Sequence, residues 1–340
     1  MNADSFKQWL AHAPKAELHM HIDGSLEPRR MLELAAKHSV ALPYKDEAEV
    51  LAAYDFADLQ SFLDLYYLGA SVLRDADDFY ALMMDYLQHC RAENIVHAEI
   101  MVEPQTYAAN QVPIEVMMEG FLAAIDEARK GWDQSVALIL SFLRHLPEQD
   151  ALRTLALAEP YRDHFSAIGL ASSELGFPPE NFINLYQEAR QSGYRATAHA
   201  GEEGPAENIG ASIDLLQVER IDHGIRATES EALVARLRET QIPLTVCPFS
   251  NVRLKTFATL ADHNVLELLD AGLNVTVNSD DPAYFGGYLT ANLQGLVDAQ
   301  DMSLKQGRQI LENGFRASFL DEEAKQHWLT QLEASLPDEL

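Results

Sequence analysis

Two histidines, His19 and His21, stand two residues apart in the run AELHMHIDGSLEP, residues 16–28, which is apolar and β-compatible up to Asp23 and Gly24. On a strand, successive side chains point to opposite faces, so both imidazoles lie on one face, one pleat apart. That spacing suits two nitrogen ligands of a single metal ion. Pro28 stands where the first turn of a helix can begin, which puts the pair at the carboxyl end of a strand. An HxH pair alone is a weak signal, because packed cores also hold histidines.

The rest of the chain adds groups of the same kind. His199 closes YRATAHA before Gly201, His223 closes RIDH before Gly224, and Asp280 with Asp281 closes LNVTVNSDD before Pro282. Each therefore sits where a β-rich run meets a turn. His19, His21 and His199 with one aspartate of the Asp280–Asp281 pair make a nitrogen and oxygen donor set without a thiolate, which suits zinc with one position left for water. Fe(II) or another divalent ion also accepts such a set. The run SAIGLASSE passes through Ser172 and Ser173 with no lysine, so no carbamylated lysine bridges a second metal there. One ion per chain is the expectation.

These groups need elements to bring them together. Short β-rich runs fall near Ala16 to His21, Ile95 to Val102, Val136 to Leu143, Ala167 to Ala171, Tyr194 to His199, Arg220 to Asp222, Pro243 to Val246 and Leu273 to Asn278. Between them, Asp78 to Arg91, Pro113 to Lys130, Pro179 to Gln191, Thr228 to Glu239 and Asn264 to Ala271 carry apolar residues at helical spacing. Eight strands alternating with helices predict an α/β fold, a (β/α)8 barrel of the TIM type. Such barrels keep their chemistry at the carboxyl ends of the strands. Ligands from the first, fifth and eighth strands meet only if the barrel closes.

The interval from Pro28 to Asn94 holds several helical segments, including Leu59 to Leu73. It reads as an insertion after the first strand, either a lid over the barrel mouth or a packing subdomain. The tail, Ser303 to Leu340, reads as two further helices. With no repeat or linker to divide the chain, residues 1–340 are expected to form one domain, with 28–94 a helical insertion within it.

The 340 residues are 47% hydrophobic and 23% charged, an ordinary globular composition. The formal charge of -28 repels phosphates and anionic lipid, so neither nucleic acid nor membrane is an expected partner. A small neutral substrate is left open. Cys90 and Cys247 suggest no disulfide framework, and Cys247 reads as a small packed residue. No leader-like or membrane-spanning apolar run occurs, which makes a reducing cytoplasm the expected compartment.

The segments HMHIDGS, HAGE, RIDHG and NSDDP, in that order within residues 15–288, resemble the signature of the adenosine and adenine deaminase family of zinc hydrolases. SSELGFPPE and DDPAYFGGY look more like the adenine branch than the adenosine branch. The resemblance implies that His19, His21, His199 and Asp280 hold zinc and that Glu202 is the proton donor to purine N1. It also implies that His223 orients the attacking water and that Asp281 accepts a hydrogen bond at N7. For His223 a fifth ligand or a core histidine are the alternatives, and for Asp281 a turn residue before Pro282.

The implied reaction is hydrolytic deamination of adenine to hypoxanthine and ammonia, a step of purine salvage, with a small purine as partner. Adenosine or an N6-substituted adenine are the rival substrates, and a catalytically idle purine-binding barrel is the rival class. Ser172, Ser173 and Glu174 are expected to read the N3 and N9 edges, with Glu174 accepting the N9 proton that adenosine lacks. The same run is otherwise a helix-capping loop. Ala171 stands where both branches usually carry an acidic residue. Asp23 either fixes its turn or touches substrate, and Glu203 is expected on the surface.

Overall fold

The structure, a computed structural model, describes residues 2–336. Pro337 to Leu340, the end of the expected tail, lie outside the described residues.

Eight strands follow one another around a single sheet: β1 (Lys15–His21), β2 (Ile95–Val102), β3 (Ser135–Leu143), β4 (Phe165–Ala171), β5 (Arg195–Ala200), β6 (Arg220–His223), β7 (Leu244–Val246) and β8 (Val275–Val277). Every neighbouring pair is parallel, as helix crossovers require. The sheet closes through backbone at Asp280: His21 N–H donates to Asp280 O (3.0 Å) and Asp280 N–H donates to His19 O (3.1 Å). The expected α/β barrel is therefore present. A ligand candidate of the eighth strand is stitched directly to the two of the first.

Where the elements differ from expectation, local chemistry explains it. The eighth strand stops at Val277 because Asn278 turns its side chain to Leu18 N–H (2.9 Å) and Asp280 takes a left-handed backbone, φ 63°. The segment after Pro178 begins as a 3-10 turn, Pro179–Phe182, before the helix Ile183–Gln191. The helix expected from Thr228 starts at Glu231, with the Ser230 hydroxyl accepting Leu233 N–H at 3.3 Å. Leu59–Ala70 and Ala76–Glu93, between β1 and β2, each start with a capping box, on Asp58 and Asp75.

The barrel interior is layered. Toward the amino ends of the strands, Arg220 pairs with Glu99 at 2.7 Å, both fully buried, and Phe319 lies under the Arg220 guanidinium at 4.4 Å. Phe319 also packs against Met101, Ile139 and Ala167, so the chain after the helix Leu304–Ala317 plugs that end. At the opposite end, Leu59, Phe62, Leu63, Tyr66 and Tyr67 form one wall of a cleft over the strand ends. The helix Leu59–Ala70 thus lies over the mouth. Among the described residues, no helix is long and apolar enough to cross a membrane.

Candidate active site

His19 and His21 leave β1 on one face, and both Nε2 atoms approach Nε2 of His199, at 3.1 and 3.2 Å. Asp280 Oδ1 lies 3.3 Å from His19 Nε2 and 3.5 Å from His21 Nε2. Four tetrahedral ligands at about 2.0–2.1 Å from a metal stand about 3.3–3.4 Å from one another, the spacing found here. The proton positions agree. His19 Nδ1 faces the Thr245 carbonyl at 3.0 Å and His21 Nδ1 faces Glu103 Oε1 at 2.8 Å, so both protons sit on Nδ1. Their Nε2 lone pairs then point inward at a carboxylate, an arrangement that repels itself unless a cation lies between them. The four residues fit a metal ion.

Glu103, which the sequence reading did not single out, is therefore part of this site. It follows β2 directly and is 2% exposed. Its letters, a carboxylate between a strand end and Pro104, match the pattern that marked Asp280 and Asp281. Its second oxygen, Oε2, is buried without a partner among the described residues, and Glu103 is one of the residues lining the cleft.

The other expected residues fall around the cluster. Glu202 Oε2 and Asp280 Oδ2 lie 3.6 and 3.7 Å from His223 Nε2, with all three side chains buried. Burial, and then the Asp280 charge, push the Glu202 carboxyl well above the ordinary glutamate range. The same two causes, in the same order, raise Asp281. Burial lowers His223 to about 3, so its imidazole is neutral. Asp281 Oδ1 is buried without a partner among the described residues. Left-handed backbone at His223 (φ 67°) and Asp280 (φ 63°) turns both residues off their strands. Such strain gathers at functional positions.

The run after β4 divides. Ser172, itself at φ 76°, lines the cleft with its hydroxyl bonded to Tyr67 OH (3.0 Å) and His145 Nδ1 (2.8 Å). Ser173 and Glu174 do not line it. Glu174 Oε1 accepts Gly201 N–H and the Asn208 amide, and Oε2 accepts Glu202 N–H and Gly204 N–H, at 2.8 to 3.1 Å. Its carboxylate is spent on the loop that carries Glu202. The expectation that Glu174 reads the purine N9 edge is corrected on that ground, and with it the contact expected of Ser173, whose hydroxyl reaches Glu203 at 3.4 Å. Glu203 is half-buried and accepts Glu174 N–H and Leu175 N–H, so it is not a free surface group. Asp23 bonds the Tyr107 hydroxyl, and Ala171 lies in the cleft wall.

A closed parallel barrel with three imidazoles and a carboxylate converging at its carboxyl rim defines a metal-dependent hydrolase of the amidohydrolase type. The comparisons narrow this. The family model described as adenosine deaminase matches residues 14–335, and the chain belongs to that family of hydrolytic deaminases. An adenine deaminase of Hahella chejuensis is 50% identical over 330 residues, 97% of this chain and 99% of that one. The crystal structure of an adenine deaminase from Arthrobacter aurescens superposes with TM-score 0.93 at 44% identity, covering 95% of this chain and 98% of that one. An amidohydrolase from Burkholderia ambifaria with bound Zn gives TM-score 0.88 at 25% identity, covering 98% and 94%.

Proposed function

We propose that this chain converts adenine and water to hypoxanthine and ammonia, with one zinc ion held by His19, His21, His199 and Asp280. The observation that carries the reading is the buried Glu202 carboxyl, kept protonated beside His223 and the four-residue cluster in an aromatic-walled cleft. The adenine deaminases at about half identity support the substrate, and the nitrogen and oxygen donors together with the Zn-bound neighbour support the metal. When bound, zinc supplies a Lewis acid that brings the pKa of water to about 7.

The chain's own residues do the remainder. Glu202 delivers its proton to purine N1, which makes C6 electrophilic, because attack there pushes electrons onto the ring nitrogen. His223, whose Nε2 lies 3.6 Å from Glu202 Oε2 and 3.7 Å from Asp280 Oδ2, orients the attacking water. Asp281, its carboxyl raised by burial and then by the Asp280 charge, faces the N7 lone pair, to which it donates a hydrogen bond in its protonated form. Ser172, presented into the cleft between Tyr67 and His145, contacts the far edge of the base.

Leu59–Ala70 roofs the purine, and residues 1–340 act as one catalytic unit with 28–94 inserted in it. Free, buried Cys90 and Cys247 support a reducing cytoplasm. The test is ammonia release from adenine, adenosine and N6-methyladenine by protein purified without added metal, together with its metal content. Adenine is expected to be turned over fastest of the three, as the names of the relatives at about half identity imply. Preference for the nucleoside overturns the assignment.

A further inference from the structure

Behind His223 runs a line of buried side chains that the reaction itself does not use. Val265 N–H donates to His263 Nδ1 at 3.1 Å. His263 Nε2 lies 3.1 Å from Asn251 Oδ1, and Asn251 Nδ2 lies 3.4 Å from His223 Nδ1. All three side chains are at most 4% exposed. The line begins at a backbone amide, which can only donate, and that fixes every proton along it. His263 Nδ1 must accept, so a neutral His263 carries its single proton on Nε2. Burial lowers His263 to about 3, which keeps it neutral. Its Nε2–H then donates to Asn251 Oδ1, and this turns the Asn251 NH2 toward His223. An NH2 group cannot accept, so His223 Nδ1 is the acceptor and the His223 proton sits on Nε2.

We propose that Asn251 and His263 are positioning residues that hold the proton of His223 on Nε2, facing Glu202 and the attacking water. In that form His223 presents a donor to the oxygen that attacks C6. The opposite tautomer would present a lone pair and repel the oxygen. His263 is itself anchored: Gln300 Nε2 donates to its carbonyl at 2.6 Å, and Phe257 packs on its ring at 4.3 Å between centroids. Asn251 is fixed by the turn it starts, with Thr256 N–H bonded to its carbonyl at 2.9 Å. The reading of His223 given under Proposed function underlies this role, while the tautomer follows from the hydrogen bonds alone.

Asn251→Asp separates positioning from packing. The new side chain has the same shape but only acceptors, so one oxygen still takes His263 Nε2–H while the other now demands a proton on His223 Nδ1. Every bond in the line survives and the His223 tautomer reverses. In zinc-loaded protein with labelled histidine, the ring nitrogen shifts of His223 should show Nε2–H in the wild type and Nδ1–H in the variant. With adenine, kcat should fall about 10²-fold or more while KM and zinc content hold, as for other tautomer reversals in active sites.

An Nε2–H signature or an unchanged kcat in a folded Asn251→Asp protein overturns the proposal. Should that variant fail to fold, His263→Phe decides. It frees the Asn251 amide to turn over, so mixed His223 tautomers and a smaller fall in kcat support the role, and a single Nε2–H form at full kcat sinks it. If the wild type does not deaminate adenine, the functional reading fails. The nitrogen shifts still report on the tautomer independently.

Discussion

A carboxyl group serves as an acid near neutral pH only where its surroundings favour the proton, and burial and then the Asp280 charge shift Glu202 in that direction. Glu202→Gln keeps the shape and loses the proton. The variant should retain its metal and lose roughly 10²–10⁴ in kcat on adenine, checked by elemental analysis beside the ammonia assay. Near wild-type turnover would refute the role. Glu103 acts one step removed, through His21. Glu103→Ala should weaken metal affinity about 10- to 100-fold in chelator competition, since nothing then orients that imidazole. His19, His21, His199 and Asp280, whose ligand atoms the structure brings together, stood out in the sequence because histidines and a paired aspartate fall at several strand ends. Glu103 did not, because one carboxylate before a proline is commonplace. Its bond to His21 arises only when β2 lies beside β1. Glu174 was misplaced for a related reason: its position after β4 is near the site, but a sequence does not say which way a side chain turns.

The loops after β4 and β5 hold each other by exchanging carboxylates, Glu174 reaching the Glu202 loop and Glu203 reaching back to Glu174 and Leu175. Glu174→Ala strips the acceptor from three buried backbone N–H groups at once. Each unpaired donor costs about 1–3 kcal/mol, so the variant should unfold at a distinctly lower denaturant concentration and lose kcat through a wandering Glu202. Metal binding should survive, because no ligand sits in that loop, and a variant as stable as the wild type would show the brace to be idle. The turn after β1 is equally committed. At Gly24 a β-carbon would run into the Asp281 side chain and backbone, so Gly24→Ala should depress turnover more than Ala substitution at exposed Glu47, read by adenine kinetics. The strands and helices themselves were legible from hydrophobic period. Their ends moved where a side chain intervened, as Asn278 does at β8 and Ser230 at Glu231–Thr240.

The ligand set implied the closed barrel before any element was placed, since residues 19, 21, 199 and 280 meet in no open sheet of that strand order. What holds the far end together was not legible, because Glu99 and Arg220 are 121 residues apart and neither letter announces an interior position. Inside the barrel, burial alone would raise the Glu99 carboxyl, but the Arg220 charge and then His97 outweigh it and hold it at about 2. Its ordinary value is 4.5, so the unfolded chain takes up the proton first as pH falls. The Glu99 contribution to stability is thus complete above pH 4.5 and is lost as pH drops through about 2. Glu99→Gln removes the charge at every pH and leaves Arg220 short of its counter-ion. At pH 7 the variant should be less stable by about 3–5 kcal/mol in urea titrations, the usual result of breaking a buried pair from one side. Between pH 4.5 and 2 the gap between wild type and variant should close, because the wild type is then losing the same charge. A gap that stays constant over that interval would mean the Glu99 carboxylate is not what steadies the barrel floor, and Phe319 packing alone would have to account for it.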